Sequence, residues 1–121
     1  MDKELFQYKI AVATSDGIVV NQHFGRAMNF KIYGIRKDNT FKFCEERNVA
    51  PVCEGGNHDE NRMKERVEAL ADCKYVLVSR IGGGAASALE QKGIIPMELP
   101  GIINESIDRL IVYAEIQNLL S

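Results

Sequence analysis

The sequence predicts an α/β fold in which about three helices pack on a mixed five-stranded sheet. Apolar runs with period-two alternation indicate strands in the first half of the chain. Apolar residues at helical spacing and a strand-helix-strand pattern in the second half indicate amphipathic helices and a parallel crossover. With 121 residues, 45% of them hydrophobic and 26% charged, residues 1–121 are expected to form a single domain.

The first half is predicted to contain two hairpins. Residues 8–14 alternate as a strand with one well-buried face would. Residues 15–17, Ser-Asp-Gly, are typical of a tight turn, so we expect residues 18–20 to return as a short paired strand. Residues 29–36 and 41–49 alternate on either side of a polar turn, which predicts the second hairpin.

The second half begins with a loop at residues 51–57 and a predicted helix at 59–71. The apolar face of that helix is made of Met63, Val67, Leu70 and Ala71. The continuous apolar run at 75–78 predicts a buried strand.

Glycines 82–84 then open an alanine-rich helix that reaches Lys92, and residues 94–97 form the next strand. Gly93 suits the C′ position of that helix, and the crossover predicts two parallel strands. Asn104 is expected to cap a last helix that ends near Leu120. Its apolar stripe is Ile107, Leu110, Ile111 and Ala114.

Charge and composition narrow the possible partners. A net charge of -2 gives no general attraction to nucleic acid. No apolar run approaches the roughly 18 residues that a membrane span needs, and residues 1–7 do not resemble a secretory signal. The three cysteines are an odd number without zinc-site or disulfide-framework spacing, so reduced thiols and a cytoplasmic location are expected.

His23 is the first candidate functional residue, because it lies just past an apolar strand and just before Phe24-Gly25. Neutral imidazole is a good ligand for borderline metals, and a strand end can hold its ring toward a ligand. Hydrogen bonding within a turn, beside Asn21 and Gln22, is the alternative. The residues alone leave both open.

Several blocks carry a family resemblance. They are His23-Phe24-Gly25, Glu46-Arg47, Val52-Cys53-Glu54-Gly55, Leu70-Ala71-Asp72-Cys73-Lys74, Ile81-Gly82 and Leu89-Glu90-Gln91-Lys92-Gly93-Ile94. In order and approximate spacing they resemble the nitrogenase iron-molybdenum cofactor biosynthesis family, which includes NifX, NafY and the C-terminal domain of NifB. The resemblance runs from about Lys9 to Ala114 and implies a ribonuclease-H-like topology.

The resemblance implies that His23 contacts a metal cluster. Cys53, in a glycine-rich loop, is a second candidate metal ligand, with an inert loop thiol as its alternative. Arg26 is placed to meet an anionic cluster or its organic acid, and Asn21 is grouped with it as a cofactor-binding residue. His58, five residues after Cys53, is more typical of a solvated helix start than of a ligand.

Other polar and small residues receive structural interpretations. Cys73 is expected in the core, whereas the sequence assigns Cys44 neither a face nor a role. Glycines 82–84 favour a packing turn over anion contact, and they fail the dinucleotide fingerprint. The cations Lys31, Arg47, Arg62 and Arg80 are expected on a solvated face.

The resemblance implies a non-catalytic carrier or chaperone domain. Its cargo would be the iron-molybdenum cofactor or its iron-sulfur precursor, and nitrogenase assembly proteins would be its partners. A nuclease is disfavoured because Asp16, Asp38 and Asp72 lie at turns or a helix end rather than in a converging set. The alternative is a protein-interaction or regulatory domain of the same fold that binds no cluster.

Two origins of such a domain remain open, a free-standing NifX-like protein and an excised NifB domain. The radical-SAM cysteine motif of full NifB is absent from the sequence. Blocks 46–48 and 52–55 favour the NifB-like branch.

Overall fold

The computed structural model describes residues 5–49 and 60–120. Its elements are β1 (Tyr8–Ala13), β2 (Val19–Val20), β3 (Asn29–Ile35), β4 (Phe41–Asn48), α1 (Glu60–Ala69), β5 (Tyr75–Val78), α2 (Gly83–Gln91), β6 (Ile95–Glu98), β7 (Gly101–Ile102) and α3 (Ile103–Leu120). Helices and strands thus fall close to their predicted positions. The two-residue strand β7 was not predicted.

Five strands form the main sheet in the order β4-β3-β1-β5-β6. The pairs β1-β3 and β3-β4 are antiparallel. The pairs β1-β5 and β5-β6 are parallel. The mixed five-stranded sheet and the parallel β5-α2-β6 crossover are therefore confirmed. Gly93 follows α2 with a φ of 79°, as expected for a C′ residue.

The central position of β1 corrects two predictions. The strand was expected to have one buried face, but Ile10, Ala11, Val12 and Ala13 are all fully buried. Both of its edges are occupied, one by β3 and the other by β5, so no edge is free for residues 18–20. The predicted first hairpin is therefore wrong, and β2 pairs with β7 in a separate two-stranded sheet.

The turn after β1 is built by side chains rather than by a hairpin ladder. Asp16 Oδ1 accepts hydrogen bonds from the backbone N–H of Ile18 (2.8 Å) and of Val19 (3.1 Å). Thr14 Oγ1 accepts one from Gly17, whose φ is 75°. These contacts redirect the chain out of the main sheet, and they lower the pKa of Asp16 because its carboxylate accepts backbone hydrogen bonds.

Two cores cover the two faces of the sheet. One contains Val67 and Leu70 of α1 with Leu89 of α2, and Cys73 is buried in it as expected. The other contains the apolar stripe of α3, namely Ile103, Ile107, Leu110, Ile111 and Ala114. No described helix is long and apolar enough to cross a membrane.

The structure also revises the predicted end of α1 and start of α3, and it assigns Cys44 to a face. α1 ends at Ala69, so Ala71 lies beyond it and is exposed. α3 already begins at Ile103, so Asn104 lies inside the first turn and does not cap it. Cys44, which the sequence left unassigned, is exposed on β4.

Candidate functional site

His23 lies at the carboxyl end of the central parallel strands. It forms an isolated parallel bridge with Arg80, two residues past the end of β5. The N–H of Ser79 donates to the carbonyl of Gln22 (3.0 Å), and the N–H of Phe24 donates to the carbonyl of Arg80 (3.0 Å). The sheet therefore holds the backbone on both sides of His23, while the His23 residue itself is exposed.

A tight turn follows His23. The His23 carbonyl accepts hydrogen bonds from the N–H groups of Arg26 (3.1 Å) and Ala27 (3.0 Å). Phe24 and Ala27 are buried in the core below, whereas Arg26 is exposed. The turn thus anchors its apolar residues and leaves His23 and Arg26 facing outward.

These residues border a cleft of about 320 Å³. Its lining consists of His23, Phe24, Gly25, Arg26, Met63, Arg80, Ile81, Gly82 and Ala85. The walls come from the His23 turn, α1, the end of β5 and the start of α2. Carboxyl ends of parallel strands are a common place for ligand sites in open α/β sheets.

The cleft is rich in positive charge. The guanidinium groups of Arg26 and Arg80 form no ion pair with any carboxylate in residues 5–49 and 60–120. Gly82 caps α2 with its backbone alone, since no side chain in the described part of the chain accepts from the first N–H groups of that helix. One carboxylate lies beside the lining, because Glu98 accepts a hydrogen bond from the N–H of Ile81 at 2.9 Å. Two arginines and the positive end of a helix dipole therefore meet at one opening.

The glycines at the start of α2 lie in open space. A Cβ added to Gly82, Gly83 or Gly84 would meet nothing within 4 Å, and none of the three has a positive φ. Tight packing therefore does not require glycine here, contrary to the packing interpretation. All three glycines are exposed, and Gly82 lines the cleft.

The structure brings together some predicted site residues and not others. His23 and Arg26 line the cleft together. The Asn21 side chain bonds Ser15 instead, accepting from its N–H (3.0 Å) and donating to its hydroxyl (2.9 Å), and Asn21 is not part of the cleft lining. Cys53 and His58 lie outside the described residues. Among the residues that are described, no three His, Cys, Asp or Glu side chains form a metal-binding group.

Two arginines have structural partners that the sequence did not predict. Arg66 of α1 is buried, and its Nη1 donates to the carbonyl of Phe24 at 2.8 Å. Arg47, expected on a solvated face, makes two hydrogen bonds to Asp72, at 2.7 and 2.8 Å. A third goes to the carbonyl of Ala69 at 2.8 Å. Arg80 is exposed as expected, but it lies on the cleft rather than on a featureless surface.

Comparison with known proteins places these features in a family. The sequence profile described as dinitrogenase iron-molybdenum cofactor matches residues 7–112. The chain belongs to this iron-molybdenum cofactor family. It is 38% identical over 101 residues to the FeMo cofactor biosynthesis protein NifB of Frankia alni, covering 81% of this chain and 20% of that protein. It is 33% identical over 107 residues to protein NifX of Sinorhizobium fredii, covering 84% of this chain and 66% of that one.

Solved structures agree on the fold of this family member. The crystal structure of PH0822 superposes with a TM-score of 0.64 at 23% identity, covering 85% of this chain and 88% of that one. The NMR structure of TM1290, a Thermotoga protein of the DUF35 family, gives 0.57 at 22% identity, covering 86% and 87%. The chain spans only about a fifth of the NifB relatives that it matches.

The blocks that carried the family resemblance now have structural positions. His23-Phe24-Gly25 and Ile81-Gly82 form facing parts of the cleft wall. The block at residues 70–74 contains Asp72, the partner of Arg47 from the Glu46-Arg47 block. In this member of the iron-molybdenum cofactor family, one set of blocks therefore builds the cleft and another joins α1 to the sheet.

Proposed function

We propose that this domain is a non-catalytic carrier that binds an anionic iron-sulfur metallocluster in the cleft bordered by His23. The cargo is the iron-molybdenum cofactor or its precursor during nitrogenase cofactor assembly. The observation that carries the proposal is the meeting of His23, Arg26, Arg80 and the open start of α2 at one opening. Family membership and the names of the NifB and NifX relatives support the choice of cargo.

Each part of the cleft has a chemical role in this proposal. The imidazole of His23 supplies a nitrogen ligand for a cluster metal. Arg26 and Arg80 balance the negative charge of the cluster or of a carboxylate attached to it, and exposed N–H groups of α2 add hydrogen-bond donors. Cys53 is proposed as a second, thiolate ligand, and Asn21 as a residue at the margin of the site.

A small number of protein ligands suits a carrier. Iron-sulfur clusters that remain in a protein are commonly held by four cysteine thiolates. One imidazole and one thiolate hold a cluster less firmly, so it can pass to the next assembly protein. Because such cargo is sensitive to oxygen, we propose that the domain works in the reducing cytoplasm.

The sheet supports the proposed ribonuclease-H-like topology. Counting only strands of the main sheet in chain order, their spatial order is 3-2-1-4-5, with the first three antiparallel and the last two parallel to the first. A shared topology does not bring nuclease chemistry with it, because activity depends on the site. In the described chain no cluster of three carboxylate, histidine or cysteine side chains stands ready for metal ions.

The proposal is tested by anaerobic titration of the protein with isolated cofactor or precursor, followed by visible absorption and EPR. We expect saturable binding that weakens about tenfold or more in His23→Ala, since about 1.4 kcal/mol of ligation corresponds to a factor of ten. Cys53→Ala is expected to weaken binding as well. Arg109→Ala, on the exposed side of α3, is the matched surface control.

Two outcomes count against the proposal. Unchanged affinity in both His23→Ala and Cys53→Ala would place the site elsewhere. No cluster binding by the wild-type protein would favour a protein-interaction or regulatory domain of the same fold.

A further inference from the structure

Arg66 of α1 is a charged side chain that is almost completely buried beside the rings of Phe24 and Phe30. It is only 1% exposed and ranks among the largest fully buried side chains. Its Nη1 donates to the carbonyl of Phe24 at 2.8 Å. Its Cζ lies 5.4 Å from the centre of the Phe24 ring and 5.6 Å from that of Phe30.

Apolar packing alone does not account for an arginine at this position. Moving a guanidinium out of water is costly, and a methionine would fill a similar volume without that cost. Arginine differs from both methionine and lysine in its flat, rigid group, which can stack on rings and present N–H donors in a fixed direction. The contact with Phe24 uses both properties, since one nitrogen donates to the Phe24 carbonyl and the flat group lies near the ring.

That contact fixes the residue that follows His23. The Phe24 N–H bonds the carbonyl of Arg80, and the Phe24 carbonyl bonds Arg66, so the Phe24 backbone is held at both ends. The Phe24 ring is held too, because it lies near both the Arg66 guanidinium (5.4 Å) and the Phe30 ring (5.8 Å), which are themselves 5.6 Å apart. His23 itself is exposed, and its backbone fixes the direction of the Cα–Cβ bond and thereby limits where the ring can reach.

We propose that Arg66 is a positioning residue that, by holding Phe24, directs the imidazole of His23 into the cleft. Through this link α1 and the cluster ligand move as one unit. The effect on cluster affinity rests on the proposed function, whereas the effect on the His23 turn does not. Arg66 acts through Phe24 and is not itself among the cleft-lining residues.

The first test measures amide hydrogen exchange in the protein without cluster. In Arg66→Met we expect exchange at Phe24, Arg26 and Ala27, the three donors of the turn, to accelerate about tenfold or more. Exchange at Ile103, whose N–H bonds Ile18 at 2.9 Å in the other core, is expected to stay unchanged. Arg109→Met, an exposed position on α3, is the control.

Arg66→Lys keeps the charge and a donor but loses the flat group. We expect exchange at the same three amides to accelerate less in Arg66→Lys than in Arg66→Met. If the methionine variant fails to fold, the comparison of Arg66→Lys with the wild type is the test. Nitrogen chemical shifts of the two histidine rings provide a second signal, since only the His23 ring is expected to shift. Equal acceleration at Ile103 would assign Arg66 a general structural role, and no acceleration anywhere would also overturn the proposal.

The cluster titration separates this inference from the proposed function. We expect Arg66→Lys to weaken binding several-fold while its exchange at Ile103 matches the wild type. If the wild-type protein binds no cluster, the proposed function fails and the exchange data alone decide the role of Arg66. If the wild type binds and Arg66→Lys binds equally well despite a loosened turn, direction of the imidazole does not depend on Arg66.

Discussion

Arginine side chains lie near both ends of β5, and their charges are balanced in different ways. Before β5, Arg47 meets Asp72 through two hydrogen bonds and also contacts Glu45 at 3.0 Å. We call Arg47, Asp72 and Cys73 the α1–β5 corner. After β5, Arg26 and Arg80 border the cleft without a described carboxylate partner. The corner uses its cation to join elements, whereas the cleft leaves its cations available to a ligand.

The pKa values of the corner residues reflect their pairing and burial. The Arg47 guanidinium lowers the pKa of Asp72 to about 2, and hydrogen bonding to Asp72 raises the pKa of Arg47. Burial raises the pKa of the neighbouring Cys73 thiol to about 12, so it stays protonated at neutral pH. A buried thiol that stays protonated is a poor metal ligand, and the paired charges join the elements of the corner.

The largest expected effect comes from reversing a charge in the cleft. We expect Arg80→Glu to weaken binding of the anionic cluster about a hundredfold, because two units of charge change at contact distance from the ligand. Anaerobic titration measures this effect, which should shrink as salt is raised. Arg109→Glu changes the net charge by the same amount at a position away from the cleft. Equal weakening in both variants would show that the overall charge of the protein, and not the cleft, determines affinity.

The second prediction concerns the α1–β5 corner, where we expect a substitution to change stability and not cluster affinity. Arg47→Met is expected to lower the free energy of unfolding by about 1.5 to 2 kcal/mol, because the variant loses charge-assisted hydrogen bonds to Asp72 and to the Ala69 carbonyl. Urea unfolding measures the loss. Cluster affinity of the folded variant should stay within about twofold of wild type, and a larger change would link the corner to the site.

The third prediction is a pH dependence that belongs to the corner. The pKa of Asp72 is lowered in the folded state, so its contribution is present above the unfolded pKa of about 3.9 and is lost as pH falls toward 2. Because the side chain is 48% exposed, solvent screening reduces the expected contribution to about 1 kcal/mol. Unfolding free energies between about pH 5 and pH 2 should therefore fall less steeply in Asp72→Asn than in wild type.

Asp108→Asn, at an exposed position of α3, is the control for this pH series. Its stability profile should parallel that of the wild-type protein. Identical slopes for wild type and Asp72→Asn would show that the ion pair does not contribute to folding.

The smallest expected effect tests whether the start of α2 is open. Gly84→Ala is expected to raise the free energy of unfolding by about 0.5 kcal/mol, because alanine favours the helix and its Cβ meets nothing within 4 Å. Gly93→Ala should lower stability instead, by about 1 kcal/mol, since Gly93 has a φ of 79°. A destabilised Gly84→Ala would restore the packing interpretation of glycines 82–84.

Local patterns predicted most elements and the pairings β3-β4 and β5-β6, but they did not predict the partners of β1 and β2. The helical spacing of Val67 and Leu70 and the apolar run at 75–78 placed α1 and β5 correctly. The Asp-Gly turn after β1 predicted a hairpin, but pairing depends on which strands occupy the edges of β1. That competition is between segments distant in the chain, so the turn alone could not reveal it.

The sequence predicted only the part of the site that lies within one short segment. His23 and Arg26 are three residues apart, so one local motif identified both. Arg80 and Arg66 reach the same turn from 57 and 43 residues beyond His23 along the chain. Only the fold brings them together, through the bridge to β5 and the packing of α1. A charged residue within the apolar face of α1 was the available signal for Arg66.

Ligation of the cargo by His23 is the central claim, and pulsed EPR tests it most directly. The protein is labelled with ¹⁵N-histidine, loaded anaerobically with cluster in a paramagnetic state, and compared with His23→Gln prepared in the same way. We predict a ¹⁵N coupling in the loaded wild-type protein that is absent from His23→Gln. A loaded wild-type protein without that coupling, or with the same coupling in His23→Gln, would contradict the account.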